Sequence, residues 1–187
     1  MTLSIYEPPP LEIKITLGLG LTVLSPYYRG FAHSLKLRGD ERVLDFGSGS
    51  GVCSRHIAAC LQRGGHLDCV DIPSGWMNVI RKTLRRHKNV SYHLGHFAQL
   101  DLPESAFDVV VIHFVLHDIP AAERPGVVNA LARRLKPTGR LIVSEPQGEG
   151  LTPEELNQLT TAARLHPSTF NAHKMLIGAV YDSTYIR

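Results

Sequence analysis

Val43-Leu44-Asp45-Phe46-Gly47-Ser48-Gly49-Ser50-Gly51-Val52 is the stretch that decides the fold. A short apolar run ends in an acid and then breaks into three glycines alternating with serines. Ser54-Arg55-His56-Ile57-Ala58-Ala59-Cys60-Leu61 follows as a helical pattern. Strand, glycine turn and helix N-terminus together suit a polar, nucleotide-like ligand. Glycine is required because such a turn takes positive φ and lets the ligand lie against bare backbone. The dinucleotide fingerprint G-x-G-x-x-G does not fit glycines at 47, 49 and 51. A phosphate-gripping loop would end in Gly-Lys-Ser/Thr, and no lysine follows Gly51.

Working outward, the strand at Arg42 to Phe46 is the first of several. The second is expected at His66 to Ile72, with a Pro73-Ser74-Gly75 turn after it, and the third at Val90 to Gly95. Val109-Val110-Val111-Ile112, within Phe107 to Leu116, is the unbroken apolar run of a strand buried on both faces. The fifth is Arg140 to Glu145. Helices are expected from Ser54 to Arg63, Trp76 to His87, Glu123 to Leu135 (ended by Lys136-Pro137-Thr138-Gly139) and Thr152 to Leu165. Thr152-Pro153-Glu154-Glu155 is a capping box with proline at the first helical position. Such alternation implies an α/β fold with right-handed crossovers and a parallel sheet.

Ahead of the sheet, Pro8-Pro9-Pro10 reads as part of an extended arm over residues 1 to 10. Glu12 to Leu24 and Tyr27 to Leu37 read as two helical pieces broken at Ser25-Pro26. We therefore expect an N-terminal arm with cap helices over 1–39 and one globular unit over 40–187.

A chain of 187 residues can bury a proper core, and 43% apolar with 20% charged residues is ordinary for a soluble protein. A net charge of +3 argues against a dedicated nucleic-acid binder. The basic run Arg81, Lys82, Arg85 and Arg86 is read as a solvated helix face. Cys53, Cys60 and Cys69 lack C-x-x-C spacing and read as small buried hydrophobes in a reducing cytoplasm. Ile13 to Leu24 falls short of the ~20 residues that span a bilayer. It lacks the features of a secretory signal, and we read it as a buried or capping helix in preference to membrane-surface attachment. The ten histidines do not cluster at metal-ligand spacing, so no metal is expected.

The segment Asp45-x-Gly47-x-Gly49-x-Gly51 closely resembles the D-x-G-x-G-x-G turn of class I S-adenosylmethionine-dependent methyltransferases, and the resemblance extends over about residues 40–146. It implies a Rossmann-like, doubly wound, mostly parallel sheet with helices on both faces and an antiparallel hairpin built from His166 to Arg187. It implies S-adenosyl-L-methionine as cofactor and S-adenosyl-L-homocysteine as product. By the resemblance, Asp45 holds the methionine amino group, while Gly47, Ser48, Gly49 and Gly51 bring backbone to the methionine and ribose. Asp71, twenty residues after Gly51, stands where a carboxylate accepts the ribose hydroxyls, and Ile72 packs on adenine. The segment Gly95-His96-Phe97-Ala98 keeps the spacing of the family's Gly-Asp-Ala motif, with His96 in place of the acid and Phe97 near the adenine.

His113-Phe114-Val115-Leu116-His117-Asp118 leaves the carboxyl end of a strand, where open α/β sheets bind ligands. His113 is placed to meet the methionine end of the cofactor. His117-Asp118 resembles the Leu-His-Asp segment of small-molecule O-methyltransferases, which makes His117 the expected general base. The expected partner is a small-molecule acceptor of unspecified atom. A cofactor-binding subunit without catalysis is the alternative, and a nicotinamide oxidoreductase is disfavoured by the glycine spacing.

Overall fold

A computed structural model describes residues 7–175 and 178–187. The expected arm thus lies partly outside the described residues, at 1–6, as do positions 176 and 177 of the expected tail. The chain divides into two compact units, Met1–Leu100 and Asp101–Arg187.

In the first unit, α1 (Pro10–Leu21) and α2 (Ser25–Ser34) precede β1 (Arg42–Phe46), α3 (Val52–Cys60), β2 (His66–Asp71), α4 (Ser74–Thr83) and β3 (Val90–Leu94). Pro10 and Pro26 sit in the first turns of α1 and α2, so both prolines open helices where we expected an extended arm and a break. Strands β1, β2 and β3 run parallel, with Phe46 opposite Val70 and Asp71 opposite Leu94. This register brings the carboxyl ends of β1 and β2 side by side. α4 ends earlier than expected, at Thr83, whose hydroxyl bonds back to the Val79 carbonyl at 3.1 Å.

The second unit holds β4 (Phe107–His113), α5 (Arg124–Arg134), β5 (Leu135–Pro146), α6 (Pro153–Ala162), β6 (His166–Met175) and β7 (Gly178–Ile186). Val109, Val110, Val111 and Ile112 are at most 1% exposed, as the apolar run requires. β5 begins five residues before the expected Arg140, because Leu135 already pairs with Phe107 and the Lys136–Gly139 turn becomes an irregularity in the ladder. Thr152 caps α6, its hydroxyl accepting from the Glu155 amide at 3.1 Å. The expected hairpin is present: β7 runs antiparallel to both β5 and β6. Among the described residues seven strands, in the order β3-β2-β1-β4-β5-β7-β6, form a mostly parallel, Rossmann-like sheet.

Candidate functional site

In the first unit, the glycine turn is built as its spacing demands. Gly47, Gly49 and Gly51 adopt φ of 73°, 51° and 76°, in the left-handed region. The Gly47 amide donates to Val70 at 2.9 Å, which fixes the turn to β2. The Ser48 hydroxyl points inward and donates to the Asp45 carbonyl at 2.8 Å. A Cβ on Gly51 would lie 2.4 Å from Ile80 and 2.7 Å from Leu84, whereas one on Gly49 would meet nothing within 4 Å. Gly51 is therefore a packing glycine, and Gly49 presents open backbone.

Asp71 ties the turn to the end of β2. Its Oδ2 accepts from the Gly49 amide at 2.5 Å and its Oδ1 from the Ile72 amide at 2.8 Å. Burial pushes its pKa up, against those two amide bonds. Each carboxylate oxygen keeps a lone pair for a further donor, so a diol fits here. Asp45 is only 2% exposed and accepts from the Ser54 hydroxyl at 2.5 Å. Burial raises its pKa to about 6, partly offset by that hydrogen bond. A buried carboxylate with one neutral donor suits a cationic partner, the amino group that S-adenosylmethionine would bring. The residues present therefore fit the cofactor.

Phe97 is buried and meets the Phe46 ring edge-on at 5.5 Å. His96 is half-buried just before this turn, its carbonyl accepting from the Gln99 amide at 2.8 Å. Ile72 is half-buried. Ser54, which holds Asp45 in place, was not among the expected site residues; its signal was a serine one helical turn beyond the last glycine.

In the second unit, β4 ends at His113, whose ring packs on Phe114 with centroids 4.1 Å apart. Burial pushes its pKa down to about 3, so the ring is neutral. The chain then makes a 3-10 turn over Leu116–Asp118. Here His117 Nδ1 lies 2.6 Å from Glu145 Oε2. The other oxygen, Glu145 Oε1, accepts from the Val115 and Leu116 amides at 3.1 and 2.8 Å. Glu145 is fully buried at the end of β5. A carboxylate accepts on both oxygens, so the proton of the short contact sits on Nδ1 and the lone pair of the neutral ring is on Nε2. The hydrogen bond from Glu145 raises the His117 pKa, with Asp118 and Glu149 adding to it and burial opposing it.

Arg124 holds the same turn from behind. It is 5% exposed, and it donates to the carbonyls of His117, Ile119 and Gly150 at 3.1, 2.8 and 2.7 Å and to Glu155 at 2.9 Å. His117 opens onto a cavity of about 180 Å³ whose lining includes Phe114, Pro146, Gln147, Glu149 and Val180. Sequence reasoning gave Glu145 only as the end of the fifth strand, and it missed Arg124. A lone acid closing an otherwise apolar core strand was the available signal. Among the described residues no group of three or more His, Cys, Asp or Glu side chains could hold a metal. No helix there is long and apolar enough to cross a membrane.

A glycine turn clasped by a β2 acid, in a sheet of this strand order, defines a nucleotide-type binding domain of the Rossmann class. Residues 43–139 match the family described as methyltransferase domain, and the chain belongs to that family, as a class I S-adenosylmethionine-dependent methyltransferase. The ubiquinone/menaquinone biosynthesis C-methyltransferase UbiE of Vibrio parahaemolyticus is 26% identical over 174 residues, covering 79% of this chain and 66% of that protein. The demethylmenaquinone methyltransferase of Tropheryma whipplei is 30% identical over 117 residues, 63% of this chain and 46% of that one. The chain thus spans two thirds or less of the length of these curated relatives. The crystal structure of a SAM-dependent methyltransferase from Aquifex aeolicus superposes with a TM-score of 0.74 at 17% identity, over 96% of this chain and 99% of that one.

Proposed function

We propose that this protein methylates a small, hydroxylated single-ring acceptor, a phenol or hydroquinone, with His117 as general base. The observation that carries this reading is the 2.6 Å contact between His117 Nδ1 and buried Glu145, with His117 lining the cavity and its Nε2 3.5 and 3.6 Å from the Asp118 and Glu149 carboxylates. A cavity of about 180 Å³ suits one aromatic ring, since a space of about 150 Å³ accommodates benzene. The bound cofactor supplies a methyl group already activated on a sulfonium, so the protein's tasks are alignment, exclusion of water and removal of one proton. Asp45, Gly49 and Asp71 would hold the donor.

His117 Nε2 takes the acceptor's hydroxyl proton and Glu145 stabilises the imidazolium that forms. The phenolate that results is nucleophilic at oxygen and at the ring carbon beside it. Relatives named as quinone C-methyltransferases favour carbon. Incubation with methyl-labelled S-adenosylmethionine and a panel of phenols, hydroquinones and hydroxyl-free rings tests this, with mass spectrometry locating the label. We expect label only in hydroxylated rings. Transfer to none of them, or equally to rings without a hydroxyl, contradicts the reading.

A further inference from the structure

Among the described residues that line the cavity of about 180 Å³, His117 and Glu149 are the ionisable ones. Their facing atoms, His117 Nε2 and Glu149 Oε2, are 3.6 Å apart. Asp118 Oδ1 lies 3.5 Å from the same nitrogen, but its side chain is 77% exposed and is not part of the lining. Glu145 is fully buried and engaged with Nδ1 and two amides.

With the Nδ1 proton on the Glu145 side, Nε2 presents a lone pair, and the Glu149 carboxylate presents only lone pairs. Two hydrogen-bond acceptors therefore face each other at the cavity with no proton between them. A single hydroxyl donates to Nε2 alone, and its ring then lies against a carboxylate to which it offers nothing. Hydroxyls on adjacent ring carbons satisfy both atoms at once. On a ring with hydroxyls at opposite ends, the second one points away from the pair.

The loop that carries Glu149 holds it in place. The Gln147 amide donates to the Ala179 carbonyl at 2.8 Å, and Arg124 donates to the Gly150 carbonyl at 2.7 Å. Between these anchors Gly148 and Gly150 take φ of 85° and 76°, in the left-handed region that glycine enters freely. Glu149 is thus the tip of a short turn pinned at both ends beside His117.

We infer that the acceptor is an aromatic vicinal diol, a catechol, with one hydroxyl on His117 Nε2 and its neighbour on the Glu149 carboxylate. Glu149 is then the residue that selects the acceptor. The first hydroxyl gives its proton to Nε2, and the second keeps its own. This inference rests on the reading of His117 as the base and goes beyond it in fixing where the second hydroxyl sits.

The test is calorimetry of S-adenosylhomocysteine-loaded protein with catechol, resorcinol and hydroquinone, three isomers of one composition, alongside labelled methyl transfer to each. Catechol is expected to bind roughly tenfold tighter than either isomer, the scale of one hydrogen bond to a charged group. Glu149→Ala should remove that difference, and Glu149→Asp should restore part of it. Isomers that bind equally overturn the inference even if all three are methylated, as does a catechol preference that Glu149→Ala leaves intact. A Glu149-dependent preference without transfer to any isomer supports the diol site and sinks the base reading alone. Absence of binding by all three overturns both.

Discussion

His117 and Glu145 come from the ends of two neighbouring strands, 28 residues apart, and are joined by a 2.6 Å hydrogen bond. The same carboxylate accepts two amides of the turn that carries His117. One buried acid therefore sets the backbone, the ring orientation and the tautomer of the proposed base. This is the arrangement in which a base is oriented by a third group.

Replacing Glu145 by Gln keeps the side-chain volume and an oxygen for the amides but presents an NH₂ group to Nδ1. The ring then turns its lone pair toward residue 145 and away from the cavity. We expect the methyl-transfer rate to fall roughly 10²–10⁴-fold, with S-adenosylhomocysteine affinity by calorimetry unchanged. An equal loss of cofactor binding would mean that Glu145 supports the fold and not the base.

Gly49 and Gly51 should separate ligand binding from stability. Gly51→Ala drives a Cβ to 2.4 Å from Ile80 at a φ of 76°, and overpacking of this kind costs about 1–3 kcal/mol before backbone strain is added. Gly49→Val meets no neighbour within 4 Å, so only the left-handed strain of about 1–2 kcal/mol applies. Its side chain nevertheless occupies the open backbone face. Urea denaturation should show the larger loss for Gly51→Ala, and calorimetry should show S-adenosylhomocysteine binding lost in folded Gly49→Val.

Arg124 satisfies three carbonyls and Glu155 from a position that is 5% exposed. Arg124→Met leaves those acceptors and the Glu155 charge without their partner. Stability should drop about 1–3 kcal/mol because buried carbonyls are left unpaired, and transfer should slow because the His117 carbonyl is released. Thermal unfolding and initial rates measure both.

Asp45 titrates at about 6 in the fold against an ordinary 3.8. Its folded pKa is raised, so its stabilising contribution is complete below about 3.8 and is lost as pH rises through about 6. Above that, the ligand-free protein carries a buried charge. Asp45→Asn should therefore make the ligand-free protein more stable near pH 8, by up to about 3 kcal/mol, with the advantage vanishing below about pH 4. Denaturation series at the two pH values measure this, and S-adenosylhomocysteine binding by the variant should weaken.

The glycine turn and its clasp by Asp71 were legible because their geometry is local. Three glycines in five residues cannot be an ordinary strand, and β1, β2 and the turn follow one another along the chain. Asp71 could be placed by counting from Gly51, and the structure puts it on the Gly49 amide. The second half rests on a pairing between β4 and β5 that spacing alone does not reveal. His117 could be singled out from its loop, but Glu145 looked like the last residue of a strand. Arg124, one of several arginines flanking α5, is distinguished only by the carbonyls that converge on it. The end of α4 at Thr83 and the start of β5 at Leu135 fell away from their expected places, beside a hydroxyl bond to the Val79 carbonyl and a strand pairing with Phe107.

The rate of labelled methyl transfer to a hydroxylated ring, measured across pH for the wild type and His117→Ala, tests the account most directly. The Glu145 hydrogen bond raises the His117 pKa above its ordinary 6.5. The wild-type rate should therefore fall as pH drops through a midpoint above that value, where the ring becomes protonated. His117→Ala should lose that limb and roughly 10²–10⁴-fold in rate. A variant that retains the wild-type rate and pH profile would contradict the assignment of His117 as the base.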